Sequence, residues 1–152
     1  MKELKERFNY CEVSGNITSA KSGEIANAKH SKGYLCVGKY LAHRVAWFLY
    51  YGCEPIGQID HINQNKTDNR IANLRCVSNR ENHRNMPIQK NNKSGLMGVH
   101  FSRLKSKWVS YIKVDGKRIH IGSFSGFFDA CCARKSAEYK LGFHLNHGKT
   151  NL

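Results

Sequence analysis

Apolar and polar side chains alternate with period two along "GLMGVHFSRLKSKWVSYIKVDGKRIHIGSF", the pattern of half-buried β-strands. Val99 and Phe101 would share a face in a first strand, Trp108, Ser110, Ile112 and Val114 in a second, and Ile119 and Ile121 in a third. The Asp-Gly of "VDGKR" supplies the hairpin turn between the second and third strands. The period then changes. In "SGFFDACCARKSAEYKLG", Phe127, Ala130, Ala133, Ala137 and Leu141 form a helical stripe that Gly142 closes. The economical packing is a three-stranded antiparallel sheet with one helix across its apolar face, leaving the other face to water or a ligand.

The first half has another texture. Residues 8–40 are rich in Gly, Tyr, Val and Lys, and "SGNITSAKSG" and "SKGYLCVGKY" predict short strands separated by turns. In "LAHRVAWFLYYG", Leu41, Val45, Phe48 and Leu49 recur at helical spacing before Gly52, predicting a buried helix over 41–51. "SNRENHRN" opens with Ser78 as an N-cap and has Glu81 three residues on, a capping box that starts a short helix. "RNMPIQKNNKSG" has little to bury and reads as a linker. The chain is therefore expected to be α+β in two modules: 1–85, with a candidate site at 57–85, then a linker at 86–94, then 95–152.

Charge narrows the class of partner. Lys and Arg number 25 against 11 Asp and Glu, a formal net charge of +14, which points to an anionic polymer, nucleic acid first. No long apolar run or basic amphipathic helix suggests a membrane, and "MKELKERFNY" lacks the apolar core of a signal peptide, so a cytosolic, non-secreted protein is expected. The six cysteines, Cys11, Cys36, Cys53, Cys76, Cys131 and Cys132, form no C-x-x-C pair. They are read as reduced, apolar packing residues rather than structural zinc ligands.

By strand alternation the uncovered sheet face presents His100 and Ser102, then Val109, Tyr111 and Lys113, then Arg118 and His120, with Arg103, Lys105 and Lys107 around the first turn. Between Arg84 and Phe124 there are nine Lys or Arg and one acid, Asp115. One sign of charge on one sheet predicts a double-stranded DNA surface, cations on phosphates and a few side chains on base edges. A solvated face is the bland reading.

The chemistry is expected in "IDHINQNKTDNRIANLRCVSNRENHRN". Cutting a phosphodiester needs a water, a base to deprotonate it and a cation against the developing charge. Imidazole is the natural base near neutral pH, and a hard divalent cation wants carboxylate and amide oxygens. Asp60 and His61 are neighbours, so on a strand one could bind metal while the other addresses the water, and the short helix could return Asn82 toward Asp60. Arg75, Arg80 and Arg84 are candidate phosphate contacts, and His83 a minor metal candidate. His43 is read as packing, and His144 and His147 as docking of the chain end.

Two resemblances sharpen this. "AHRVAW", "IDHIN", "DNRIANLR" and "SNRENHRN", over residues 34–85, resemble the HNH nuclease family in the phage homing-endonuclease branch whose final histidine is asparagine. That resemblance implies a ββα-metal module with His61 as general base, Asp60 and Asn82 as ligands of one divalent cation, magnesium or else manganese, and Asn73 as the asparagine that braces the loop and orients the base. Asn69 is the second candidate for bracing. It also implies 5'-phosphate and 3'-hydroxyl products and, for a phage-encoded protein, the host cytoplasm. "GLMGVHFSRLKSKW", "GKRIHIGSF" and "DACCARKSAE" resemble the plant ethylene-response-factor (APETALA-type) DNA-binding domain, implying that the sheet lies in the major groove. His100 and Ser102 stand where the plant pattern has arginines. The expected protein is a site-specific DNA endonuclease, a monomer or weak dimer, whose imidazole faces an open basic groove. The rivals are a non-catalytic DNA-binding regulator and, behind it, an RNA-binding protein.

Overall fold

The structure, a computed structural model, describes residues 2–149. It is α+β, and its contacts divide the chain into two compact units, 1–82 and 83–152.

In the first unit, helix α1 (Lys2–Arg7) runs into strand β1 (Phe8–Tyr10), which pairs antiparallel with β2 (Ile17–Ser19). A second small sheet comprises β3 (Ala28–Lys29), β4 (Leu35–Val37) and β5 (Tyr40–Leu41). Strands this short cannot stand alone. They are organised by α2 (Ala42–Tyr51), whose Ala42, Val45, Ala46 and Phe48 are buried in one core with Leu4, Ile17, Val37, Ile59 and Leu74. The helix ends at Gly52 in the left-handed region, where its amide bonds the Phe48 carbonyl. Next come β6 (Gln58–His61), a 3-10 turn (Ile71–Asn73), β7 (Leu74–Val77) and α3 (Asn79–His83). β6 and β7 pair antiparallel with Asp60 opposite Arg75 and His61 opposite Leu74. Ser78 and Glu81 form the expected reciprocal cap: Ser78 N donates to Glu81 Oε2 at 2.9 Å and Glu81 N to Ser78 Oγ at 3.2 Å.

The second unit is built on β8 (Val99–Ser102), β9 (Lys107–Val114) and β10 (Lys117–Phe124) in the order β10-β9-β8, with α4 (Phe127–Lys140) against the sheet. Asp115 and Gly116 both take positive φ, as a two-residue Asp-Gly turn requires. Two expectations fail here. The pairing slips between His120 and Gly122, so Ile121 is the extra residue of a β-bulge and Gly122 and Phe124 take the parity expected of it, while Ile119 is 48% exposed. On α4 the buried positions are Ala130, Arg134 and Glu138 rather than an all-apolar stripe. The alanines leave room for a buried ion pair: Arg134 Nε donates to Glu138 Oε1 at 2.9 Å, and its Nη1 to the Tyr111 carbonyl at 2.8 Å. The segment expected as a linker is tied to the chain end. His144 N donates to Arg84 O, Gly148 N to Met86 O and Ile88 N to Lys149 O, so backbone bonds, not composition, decide its place.

Candidate functional site

β6 delivers Asp60 and His61 to opposite sides of a two-stranded ribbon. Residues 62–70 then fold back through turns made by their own side chains. Asn63 Oδ1 accepts from Asn65 N at 2.9 Å, Asn65 Oδ1 from Thr67 N at 3.1 Å, and Asp68 Oδ1 from Arg70 N at 3.3 Å. The asparagines of this stretch are thus turn builders. Arg70 also donates Nη2 to Asp68 Oδ2 at 2.6 Å, which with Asn63 holds the Asp68 carboxyl down at about 2. Asn73 closes the loop. Its Oδ1 accepts from Asn63 N at 2.9 Å and its Nδ2 donates to the Asp68 carbonyl at 2.8 Å. The β1–β2 hairpin buttresses the loop: Tyr10 Oη donates to the Asn69 carbonyl at 2.8 Å, and a Cβ at Gly15 would lie 2.6 Å from Arg70 N.

The loop and α2 enclose His61. Its ring meets His43 edge-on at 5.2 Å and Tyr34 at 6.0 Å, and its Nε2 lies 3.1 Å from Asn69 Oδ1. With that amide oxygen as acceptor, Nε2 carries the proton and Nδ1 keeps its lone pair. Burial pushes the imidazole below the ordinary histidine value, against the smaller pull of Asn69, Asp60 and Asp68, so His61 is held neutral. His43, on the buried face of α2, is driven down to about 3 by burial first and by His61 and Arg44 next. The imidazole, expected to face an open groove, is instead buried: His61 is only 4% exposed, with Asn69, His43 and Tyr34 against it. Two buried atoms beside it, Asn69 Nδ2 and His43 Nδ1, have no hydrogen-bond partner.

On the other side of the ribbon, Asp60 Oδ2 accepts from Arg75 Nε at 2.9 Å and Nη2 at 2.7 Å. Arg75, expected as a phosphate contact, is therefore the counter-charge of Asp60, set there by the strand register. Asn82 Nδ2 donates to Gln58 Oε1. Gln58 shares its strand face with Asp60, two residues along, about 7 Å in an extended chain. Asn82 thus reaches the strand face that Gln58 shares with Asp60. Asp60, Asn82 and Gln58 carry carboxylate and amide oxygens of the kind a hard divalent cation takes, with Gln58 Oε1 accepting from Asn82 and Asp60 Oδ2 from Arg75 in this arrangement. Among the described residues, no three His, Cys, Asp or Glu side chains cluster as a richer metal site would.

Sequence reasoning gave Asn73 both bracing and orientation of the base. In the structure Asn73 braces the loop and Asn69 holds the imidazole. It missed Arg75 as the Asp60 partner, and Gln58 and Tyr34, none of which carries a local signal. Arg84 lies with its guanidinium 5.5 Å over Phe143, holding the chain end. On the second unit, His100, Arg103, Lys105, Lys113, Arg118 and His120 are exposed, and Ser102 and Tyr111 partly so. The Arg118 guanidinium stacks 3.5 Å from the Tyr111 ring, with the His100 ring 5.8 Å away.

Comparison with known proteins places a family on the first unit. A 77-residue stretch is 35% identical to Protein 3.8 of Escherichia phage T7, covering 50% of this chain and 64% of that protein. The chain thus spans just under two thirds of that relative. No solved structure matches. No helix among the described residues is long and apolar enough to cross a membrane. Residues 40–84, which hold α2, both strands of the ribbon, its loop and α3, match the HNH endonuclease family.

Proposed function

We propose that the protein is a site-specific DNA endonuclease of the homing type, in which the HNH domain hydrolyses a phosphodiester and the second unit holds the duplex. The observation that carries this is the arrangement at the end of β6. A neutral imidazole with its Nε2 fixed by Asn69 lies beside a carboxylate whose strand face also receives Asn82. A single divalent cation, magnesium in our reading, would be held by Asp60 and Asn82 and would supply positive charge against the phosphate and the departing 3' oxygen. His61 Nδ1 takes a proton from the attacking water, and Asn69 keeps the ring from turning. Asn73 acts at one remove by fixing the loop that carries Asn69. A base acting on one water needs only one ring edge accessible, and 4% exposure allows no more than that.

The exposed sheet face of the second unit is the proposed duplex surface, in an APETALA-type manner. His100, Ser102, Arg103, Lys105, Tyr111, Lys113, Arg118 and His120 contact bases or phosphates, and sequence preference comes from side chains such as Arg118, which forks onto a guanine edge. The test is plasmid cleavage with magnesium by the wild type and by His61→Ala. Magnesium-dependent cutting that His61→Ala loses by orders of magnitude supports the reading; equal cutting by both removes His61 from its role.

One observation favours a second reading, a non-catalytic DNA-binding regulator: Arg75 closes on Asp60 and packing closes on His61. Tight, salt-sensitive duplex binding with no cleavage under any divalent cation would select it.

A further inference from the structure

We propose that Lys66 is a phosphate-binding residue of the nuclease site, gripping a phosphodiester beside the one that is cut. This rests on the nuclease reading above. Lys66 lies in the loop that leaves His61, and its ammonium is held in place by neutral groups. Nζ donates to the Lys32 carbonyl at 3.2 Å and sits 4.7 Å over the Tyr34 ring. Its stem lies along the turn before β4, where a Cβ at Gly33 would meet Lys66 Cδ at 3.8 Å. The same Tyr34 ring contacts His43 at 5.2 Å and His61 at 6.0 Å, so the cation stands one ring away from the base.

What separates this lysine from an ordinary surface lysine is the charge balance around it. The two carboxylates nearest in the chain are taken by arginines, Asp60 by Arg75 and Asp68 by Arg70. Neither closes an ion pair with Lys66, although a basic chain has few acids to spare. A carbonyl and the negative face of an aromatic ring orient an ammonium without cancelling its charge. A cation that only stabilised the fold would gain more from a carboxylate. One positioned yet uncompensated beside a phosphodiester-cutting base is suited to an incoming anion, and the anion a duplex brings there is a backbone phosphate.

The experiment uses the full chain and a short duplex containing a mapped cut site, with one phosphate at a time near the cut replaced by a neutral methylphosphonate. Single-turnover cleavage by wild type, Lys66→Gln and Lys66→Arg is compared across the set. On the native duplex Lys66→Gln should cut roughly tenfold more slowly, the loss of one charge-assisted contact, and Lys66→Arg should recover much of it. On one member of the set, Lys66→Gln and wild type should cut at equal rates, because the partner charge is already gone; elsewhere the two losses should multiply. Multiplying losses at every position, or wild-type rates from Lys66→Gln on the native duplex, overturn the assignment. Lys66 is exposed, so thermal unfolding of the variants should match wild type. A wild type that binds but never cuts defeats the nuclease reading instead. The same set is then scored by binding affinity, where coupling at one phosphate upholds Lys66 and uniform additivity rejects it.

Discussion

Acid should destabilise the first unit through His43. The imidazole is 5% exposed on the inner face of α2, with Nδ1 unpartnered, and its pKa falls from 6.5 to about 3. Below 6.5 the unfolded chain takes up a proton there, whereas the folded chain refuses it until about pH 3. The unfolded state therefore binds more protons throughout that window. The stabilising contribution is complete above 6.5 and is lost progressively as the pH falls toward 3. At about 1.4 kcal/mol for each step of one in pH below 6.5, acidification to about pH 5 should remove roughly 2 kcal/mol through this residue alone. Phenylalanine keeps a ring against Tyr34 and His61 but has nothing to titrate, so His43→Phe should flatten this part of the profile. The chain has two tryptophans, Trp47 and Trp108. In a Trp108→Phe background the fluorescence of Trp47 reports the first unit by itself. Urea unfolding near pH 7 and pH 5, with and without His43→Phe, gives the double difference. A pH dependence equal in the two backgrounds would show that His43 is not held neutral by burial, and the same logic for His61 would lose its support.

Four further outcomes follow from particular contacts. Arg75→Gln removes the positive group on Asp60 and should lower the magnesium needed for half-maximal cutting by roughly tenfold; a higher requirement would mean that Arg75 organises the site instead of competing with the cation. Asn73→Ala leaves Asn63 N and the Asp68 carbonyl without their partners and should cost roughly 2–3 kcal/mol in urea unfolding of the first unit, together with cleavage. Glu138→Gln strands the buried Arg134 and should cost roughly 3–5 kcal/mol, read from Trp108 fluorescence in the second unit. Arg118→Ala should weaken duplex binding by roughly 1–3 kcal/mol and relax preference at one base pair in selection from randomised duplexes, whereas a uniform loss with a shallower salt dependence would reassign it to phosphate.

Much of the second unit was legible because its signals are local. Period two through residues 107–124, an Asp-Gly turn and a switch to helical period require no knowledge of the rest of the fold. What failed there was not local. A bulge at residues 120–122 changes the face of everything after it with only Gly122 as a hint, and a polar stripe on α4 is buried because Arg134 reaches the Tyr111 carbonyl on a neighbouring strand. In the first unit the strands of two or three residues were foreseen only as a texture, since each takes its stability from α2 rather than from its own sequence.

The site divides along the same line. Asp60, His61, Asn73 and Asn82 are visible as spaced residue types, and the capping box that turns Asn82 back is readable from two residues. The balance of charge is not, because it is settled by register: Arg75 faces Asp60 only once β6 and β7 pair, fifteen residues apart in the chain. Arg75, Arg70 and Lys66 are three cations close in the chain to two acids, Asp60 and Asp68. Folding spends the first two on Asp60 and Asp68 and leaves the third on a ring and a carbonyl. The distribution of cations among neutral and acidic partners, rather than their number, therefore determines which of them can meet a phosphate, and a basic composition by itself identifies none.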